Sequence, residues 1–318
     1  MSPQPQKKIL VVLAGPTAVG KTRVALKLAQ HFDTEIVSAD ARQIYQGMDI
    51  GTAKPEAAEL ALVKHHLIDV VPITKPFRVS DYESEAINCI ASVHSKHDVC
   101  ILVGGSGLYL KAVTEGLDIM PDVPQVVRDE VDRKWRQHGL GWIQRQLAAV
   151  DPEYYQKVDV NNPRRLIRAL SFYTHTHQKI SSYLHAAPKE RPFRTIPILL
   201  TLPREVLYQR INQRVDYMIA SGLREEAKAL LPHSGLQSLA TVGYQEFFAF
   251  FNEEIDEQEA VRLIKRNSRR YAKRQMTWFR KYGEWTEFDP DDLQEMIRLI
   301  GRMMTAKEKL PPSPEDVQ

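Results

Sequence analysis

A doubly wound α/β fold, with a parallel sheet core interrupted by an all-helical insertion domain, is what three features of the 318-residue chain predict. A continuous apolar, β-branched run opens the ordered sequence and ends in a glycine-rich turn. Short apolar runs then alternate with stretches of helical period. Finally, a proline-flanked segment with its own helical patterns breaks the alternation.

Residues 8–14, Lys-Ile-Leu-Val-Val-Leu-Ala, have no helical period, as expected of a strand covered on both faces. A helix is expected over 21–31, and further strands over 35–38, 99–103 and 196–202, with helical stretches between them. The texture changes between Met120 and Arg194. Pro121 and Pro124 open this segment, Trp135 and Trp142 lie inside it, and Pro188 and Pro192 close it. The expected division is a core of residues 1–120 and 195–318 around an insertion of residues 121–194. Inside the insertion, Asn162-Pro163 reads as a helix start, with Asn as cap and Pro at the first helical position. Arg164, Arg165 and Arg168 then fall on or near one face. The first six residues and the Pro-rich, acidic tail after Lys309 read as loose termini.

Composition narrows the class. There are 43 Lys and Arg against 40 Asp and Glu, a net charge of +3, with 43% hydrophobic residues. This excludes intrinsic disorder and collagen-like repeats. Cys89 and Cys100 are too few for a disulfide framework, and no Cys/His cluster has zinc-ligand spacing, so both read as buried small residues in a reducing compartment. The apolar run 9–14 is far short of the ~20 residues that span a bilayer. A cytoplasmic protein with no membrane contact is expected, and a monomer, since nothing in the chain demands a partner subunit.

Gly15-Pro16-Thr17-Ala18-Val19-Gly20-Lys21-Thr22 fits G-x-x-x-x-G-K-[ST] between a predicted strand and a predicted helix, which makes the sheet P-loop-type. The glycines let the backbone turn its amides inward, and the helix N-terminus adds positive potential. Lys21 supplies a mobile charge and the Thr22 hydroxyl suits Mg²⁺. A phosphate or diphosphate group is what such a loop binds; its residues do not distinguish the two.

Two further segments follow predicted strands, whose carboxyl ends line the ligand crevice in parallel sheets. Asp40, opening Asp40-Ala41-Arg42-Gln43, suits a general base, an outer-shell magnesium ligand, or a loop aspartate capping the next turn. Gly104-Gly105-Ser106-Gly107 suits a tight turn, or a hydroxyl presented to the same crevice. Near the C-terminus, residues 262–281 hold nine basic residues and no acidic one. Arg262, Lys265, Arg266, Arg269, Arg270, Lys273 and Arg274 recur at helical spacing, with Tyr271, Trp278 and Phe279 interleaved. Such a stripe either tracks a nucleic-acid backbone or is a solvated helix face with aromatics in the core.

Together these segments resemble the tRNA dimethylallyltransferases, also called tRNA isopentenyltransferases. The resemblance rests on the phosphate loop; on Asp40 to Gln43 running on through Tyr45-Gln46-Gly47-Met48-Asp49-Ile50-Gly51-Thr52-Ala53-Lys54-Pro55; and on residues 102–109 and 162–170. It also rests on Val242-Gly243-Tyr244 and Lys273-Arg274-Gln275-Met276-Thr277-Trp278-Phe279-Arg280. It implies transfer of a dimethylallyl group from its diphosphate to N6 of the adenosine 3′ of the anticodon, so the phosphate loop holds a leaving group. Asp40 matches the family's base and Ser106 a catalytic-site hydroxyl residue contacting the substrate nucleotide. Arg210 and Arg214 match a pair near the diphosphate. The implied tRNA contacts are Asp40, Ala41, Arg42, Gln43, Arg128, Arg164, Arg165, Leu166, Ile167, Arg168, Val242, Gly243, Tyr244 and the eight residues from Lys273 to Arg280. The implied partners are the tRNA anticodon stem-loop and dimethylallyl diphosphate, with Mg²⁺ held at Thr22.

The chemistry suits these residue types. The adenine amine is a poor nucleophile, which a carboxylate assists, and loop amides, Lys21, Mg²⁺ and arginines stabilise departing diphosphate. In-line displacement at the allylic carbon is expected, with the target base flipped into a channel. Ala41 replaces the family's usual serine, Ser106 its more frequent threonine, and Gln245 a usually basic residue. No zinc-finger extension of the eukaryotic kind follows, which implies a bacterial-type member. Two other functions fit parts of the sequence: a small-molecule kinase with ATP in the loop, and a nucleotide-gated RNA-binding protein, which needs no Asp40.

Overall fold

A computed structural model describes residues 8–118, 120–184 and 187–305; the expected loose termini lie outside the described residues. In the core the elements are β1 (Lys8–Ala14), α1 (Lys21–His31), β2 (Ile36–Ser38), α2 (Ala57–Leu62), β3 (His65–His66), α3 (Val79–His94), β4 (Val99–Gly104) and α4 (Gly107–Thr114). The insertion contributes α5 (Gln125–His138), α6 (Leu140–Val150), α7 (Pro152–Lys157) and α8 (Pro163–Thr176). The core resumes with β5 (Phe193–Leu200), α9 (Arg204–Ala220), α10 (Leu223–Leu230), α11 (Tyr244–Phe251), α12 (Glu257–Lys281), β6 (Thr286–Phe288) and α13 (Leu293–Thr305).

The six strands form one parallel sheet in the order β3-β2-β4-β1-β5-β6. β1 lies at its centre, which is why its sequence is apolar on both sides. Leu10, Val12 and Ala14 face one core layer; Ile9, Val11 and Leu13 face the other. From β1 the chain crosses over β4's place to reach β2, and from β4 it returns across β1 to β5. The crevice where these connections part lies at the carboxyl ends of β1 and β4, the usual ligand position in such sheets.

β5 starts at Phe193 rather than Ile196, because Phe193 and Arg194 pair with Lys8 and Ile9 at the start of β1. Pro203 follows its end, so Leu202 lies outside the strand. The compact units divide at residues 116–189 and the remainder. Unit 116–189 has its own core around Val131, Ile143, Leu147, Leu166 and Phe172. Asn162 and Pro163 open α8 as the sequence predicts, although the Asn162 side chain makes no capping hydrogen bond. Among the described residues no helix is long and apolar enough to cross a membrane.

Candidate active site

β1 is locked between two neighbours, so the chain leaves it at a fixed point. Gly15 makes that exit with φ +155°; a Cβ there would lie 2.9 Å from Val19 Cγ1 and 3.0 Å from the Leu200 carbonyl oxygen. Ala18 (φ 64°) and Gly20 (φ 109°) take left-handed conformations before α1 begins. Lys21 folds its ammonium back onto the Gly15 and Pro16 carbonyl oxygens at 2.9 and 2.8 Å. Burial, and then the nearby Arg214, lower its pKa to about 7, while Asp40 pulls the other way.

Two arginines of α9 complete the cation cluster. Arg214 donates from Nη1 to the Thr17 hydroxyl at 2.9 Å, and Arg210 from Nη1 to the Val19 carbonyl oxygen at 3.4 Å. Burial holds Arg214 below the usual guanidinium range, against the opposing field of Asp40. Three cations therefore converge on one loop, with a carboxylate near enough to influence Lys21 and Arg214. The desolvated Lys21 and Arg214, with Arg210 beside them, suit an anion with several oxygens.

Thr22, half-buried, lies in the first turn of α1. Among the described residues no group of three or more His, Cys, Asp or Glu could cage a metal. A single hydroxyl residue at the end of a phosphate loop fits Mg²⁺, which keeps waters and takes other ligands from substrate oxygens.

Asp40 follows β2, and its Oδ1 accepts the backbone N–H groups of Arg42 (2.8 Å) and Gln43 (3.3 Å), so it does cap its own turn. Capping occupies Oδ1 alone. The Ser106 hydroxyl accepts the Ala41 N–H at 3.0 Å, fastening the β4 loop to the β2 loop. The bare Gly104 permits this approach, since a Cβ there would lie 2.1 Å from the Ala39 carbonyl oxygen. Beneath them Tyr82 donates to the Ser38 carbonyl at 3.0 Å and stacks on Tyr109 with ring centres 3.8 Å apart.

Tyr271 of α12, one of the aromatics interleaved in the basic stripe, lies where the charges of Asp40 and Arg42 act on its phenol. The residue as a whole is 36% exposed, yet burial of the phenol, and then the charge of Asp40, push it up to about 12, with Arg42 and a hydrogen bond to Ser106 opposing.

Several residues expected at a tRNA surface spend their polar groups on the protein. Arg42 donates to the carbonyls of Gln237, Ser238 and Ala240, and Gln43 Nε2 to those of Thr52 and Ala53. Tyr244 is buried and donates to Glu226 at 2.6 Å, while the Gly243 N–H is taken by Glu246. Val242 is half-buried. Arg128 donates to the Val123 carbonyl at 2.7 Å. Leu166 and Phe279 are buried in core clusters. Met276, Trp278 and Ile167 are half-buried; a Cβ on Gly107 would lie 2.3 Å from the Trp278 ring. Arg164, Arg165 and Arg168 are exposed on unit 116–189, Arg168 with Nη2 3.5 Å from Met120 Sδ.

The basic stripe of α12 is divided. Arg262 pairs with Glu259, Lys265 with Asp216, and Arg269 with Asn212. Further along, Arg270, Lys273, Arg274, Arg280 and Lys281 are exposed, as is Thr277. Gln275, in the middle of that second half, is turned inward. Its Oε1 accepts the Thr17 N–H at 2.9 Å and its Nε2 donates to the Gly105 carbonyl at 3.0 Å.

A parallel sheet whose central strand runs straight into a phosphate loop puts this chain among the P-loop-type α/β proteins. Its relatives narrow the class. The family described as IPP transferase matches residues 43–282. The tRNA dimethylallyltransferase of Christiangramia forsetii is 48% identical over 282 residues, covering 88% of this chain and 93% of that protein; the Cytophaga hutchinsonii enzyme of the same name is 42% identical over 293 residues, covering 92% and 96%. Among solved structures, the Bacillus halodurans tRNA isopentenylpyrophosphate transferase superposes with a TM-score of 0.70 at 37% identity, covering 94% of this chain and 97% of that one. A eukaryotic dimethylallyltransferase acting on tRNA gives 0.80 at 25% identity, with 96% and 82% coverage. The chain belongs to the IPP transferase family, the tRNA dimethylallyltransferases, and is an enzyme of this prenyltransferase kind.

Proposed function

We propose that the protein transfers a dimethylallyl group from dimethylallyl diphosphate to N6 of the adenosine 3′ of the tRNA anticodon. The observation that carries this reading is the convergence of Lys21, Arg210 and Arg214 on the phosphate loop, with Asp40 after β2 close enough for its charge to act on Lys21 and Arg214. Prenyl transfer needs a cationic site for the leaving anion and a proton acceptor close to it, and these residue types suit the two tasks.

In the proposed reaction the N6 lone pair forms the new C–N bond as the allylic C–O bond breaks in line with it. The bonding pair leaves with diphosphate, and the N6 proton passes to Asp40. Lys21, Arg210, Arg214 and the loop amides stabilise the departing oxygens. Mg²⁺, held through Thr22, would neutralise further diphosphate charge. The Tyr271 hydroxyl and Ser106 border the place where the base would enter. The exposed half of α12 and the arginines of α8 would bind the tRNA backbone. Dimethylallyl diphosphate, Mg²⁺, a cytoplasmic location and a monomeric state complete the proposal.

Incubation with dimethylallyl diphosphate, Mg²⁺ and an unmodified tRNA tests it. A hydrophobic N6-modified nucleoside on digestion is the expected product. ATP consumption without that product would instead indicate a kinase, and tRNA retention with no product an RNA-binding protein.

A further inference from the structure

We propose that Gln275 is a positioning residue that sets the separation between the donor and acceptor halves of the active site. The proposal rests on the prenyl-transfer reading above. β1 and β4 are paired up to Ala14 and Gly104, and beyond that register their loops part, one toward the diphosphate site and one toward Ser106. Gln275 spans the gap just past the end of the ladder. On the donor side it accepts the backbone N–H of Thr17, whose hydroxyl holds Arg214. On the acceptor side it donates to the carbonyl of Gly105, immediately before Ser106, which fixes Ala41 beside Asp40.

The residue type is specific to the task. A primary amide offers an acceptor and a donor on one rigid plane; Glu has no donor for Gly105, and Met has no donor and only a weak sulfur acceptor. Gln275 is 7% exposed, so a lost partner is not readily replaced by water. Gly105 is fitted to it, since a Cβ there would lie 2.2 Å from Gln275 Nε2. Because the same helix carries the exposed cations on its outer side, this amide needs no contact with tRNA to matter in the reaction. It acts through Thr17 and Gly105.

Misalignment of about 1 Å between reacting groups costs on the order of 100-fold in rate. A bound donor with a misplaced amine also becomes open to water: the allylic C–O bond breaks, water oxygen bonds to the carbon, its proton goes to solvent, and dimethylallyl alcohol and diphosphate leave. The test measures kcat for tRNA prenylation, donor KM, tRNA Kd, thermal midpoint and the share of consumed donor appearing as alcohol, in wild type, Gln275→Met, Gln275→Glu and Gly105→Ala. The expected result is a kcat lowered about 10- to 100-fold with KM and Kd within about threefold, and a raised alcohol share. Gln275→Met combined with Gly105→Ala should be no worse than the worse single variant, because both break one bridge. Wild-type kcat in Gln275→Met would overturn the proposal. So would parallel loss of kcat, both affinities and thermal stability in all three variants, or additive effects in the double. A wild-type enzyme that makes no N6-prenylated nucleoside would instead overturn the prenyl-transfer reading itself.

Discussion

Arg214 reaches from α9 to the Thr17 hydroxyl at 2.9 Å, so the phosphate loop is braced from outside its own strand-loop-helix unit. The bond ties the guanidinium to the loop, where its charge acts on Lys21. Arg214→Ala should raise the donor KM by about 10- to 100-fold, the range for losing one charge-assisted hydrogen bond to a bound anion. Arg214→Lys should recover only part of this, since an ammonium cannot hold Thr17 and a diphosphate oxygen in one plane. Steady-state kinetics at varied donor concentration read both; an unchanged KM in the alanine variant would remove Arg214 from the donor site.

Asp40 has two tasks that one substitution separates. Its Oδ1 caps the turn through Arg42 and Gln43 N–H groups, and an asparagine oxygen accepts the same bonds. Asp40→Asn should therefore keep fold and tRNA affinity while lowering kcat by about 10²- to 10⁴-fold, as for a lost general base. Single-turnover prenylation with saturating tRNA checks this. Near-normal turnover would reduce Asp40 to its capping role.

With a pKa of about 7, Lys21 of the free enzyme is charged below neutrality and increasingly neutral above it. A bound diphosphate favours the charged form and raises that pKa, so above pH 7 binding takes up a proton. The contribution of Lys21 to donor affinity should be fully present below about pH 6 and fall as pH rises from 7 toward the ordinary lysine range. Calorimetry at pH 8 in two buffers of different ionisation enthalpy should report proton uptake, which Lys21→Ala abolishes; no uptake in the wild type would contradict the depressed pKa.

The phosphate loop, its flanking strand and helix, and the glycine turn after β4 were legible because each is a local pattern: an apolar run, a glycine pair, a Lys-Thr at a helix start. By local pattern Asp40 was legible only as a position at a strand end; its reading as a base came from the family resemblance. Its proximity to Lys21 and Arg214 depends on β4 entering the sheet between β1 and β2, which no local pattern encodes. Arg42 and Gln275 show the same limit in opposite ways. Both sit in motifs that suggest tRNA contact, yet their side chains meet carbonyls and amides brought close by distant parts of the chain. The edge strands β3 and β6 are too short to carry a periodicity, and the pairing of His66 in β3 with Glu35 joins residues 31 apart in the chain.

The division of α12 predicts unequal effects along its basic face. Replacing Arg270, Lys273 and Arg274 together with serine removes three exposed cations, and should weaken tRNA binding and reduce the magnitude of its log-log salt slope by about 2. Replacing Arg262 and Lys265, which are paired with Glu259 and Asp216, should change the slope by much less. Filter binding from low to moderate salt distinguishes them. Equal slopes in the two variants would mean that pairing within the protein does not decide which cations meet RNA.

Glu226 organises the loop that follows Asp40. Its Oε2 accepts the N–H groups of Asp49 and Ile50 at 3.0 and 2.8 Å, and its Oε1 accepts those of Gly51 at 2.9 Å and the Tyr244 hydroxyl at 2.6 Å. Gly51 must be glycine for this, because a Cβ would lie 2.6 Å from the Tyr244 ring. Burial and the neighbouring carboxylate hold the Tyr244 phenol well above its usual range, so it stays a donor. Tyr244→Phe removes one of four donors and should cost about 1–2 kcal/mol in urea denaturation. Glu226→Ala strands three backbone amides and the buried phenol, and should cost about 2–3 kcal/mol. The loop returns to the active site through Gln43, which donates to the Thr52 and Ala53 carbonyls, so Glu226→Ala should also lower kcat several-fold without contacting either substrate. A stability within about 0.5 kcal/mol of wild type, the range of an ordinary surface change, would show that water replaces the carboxylate and that the loop holds itself.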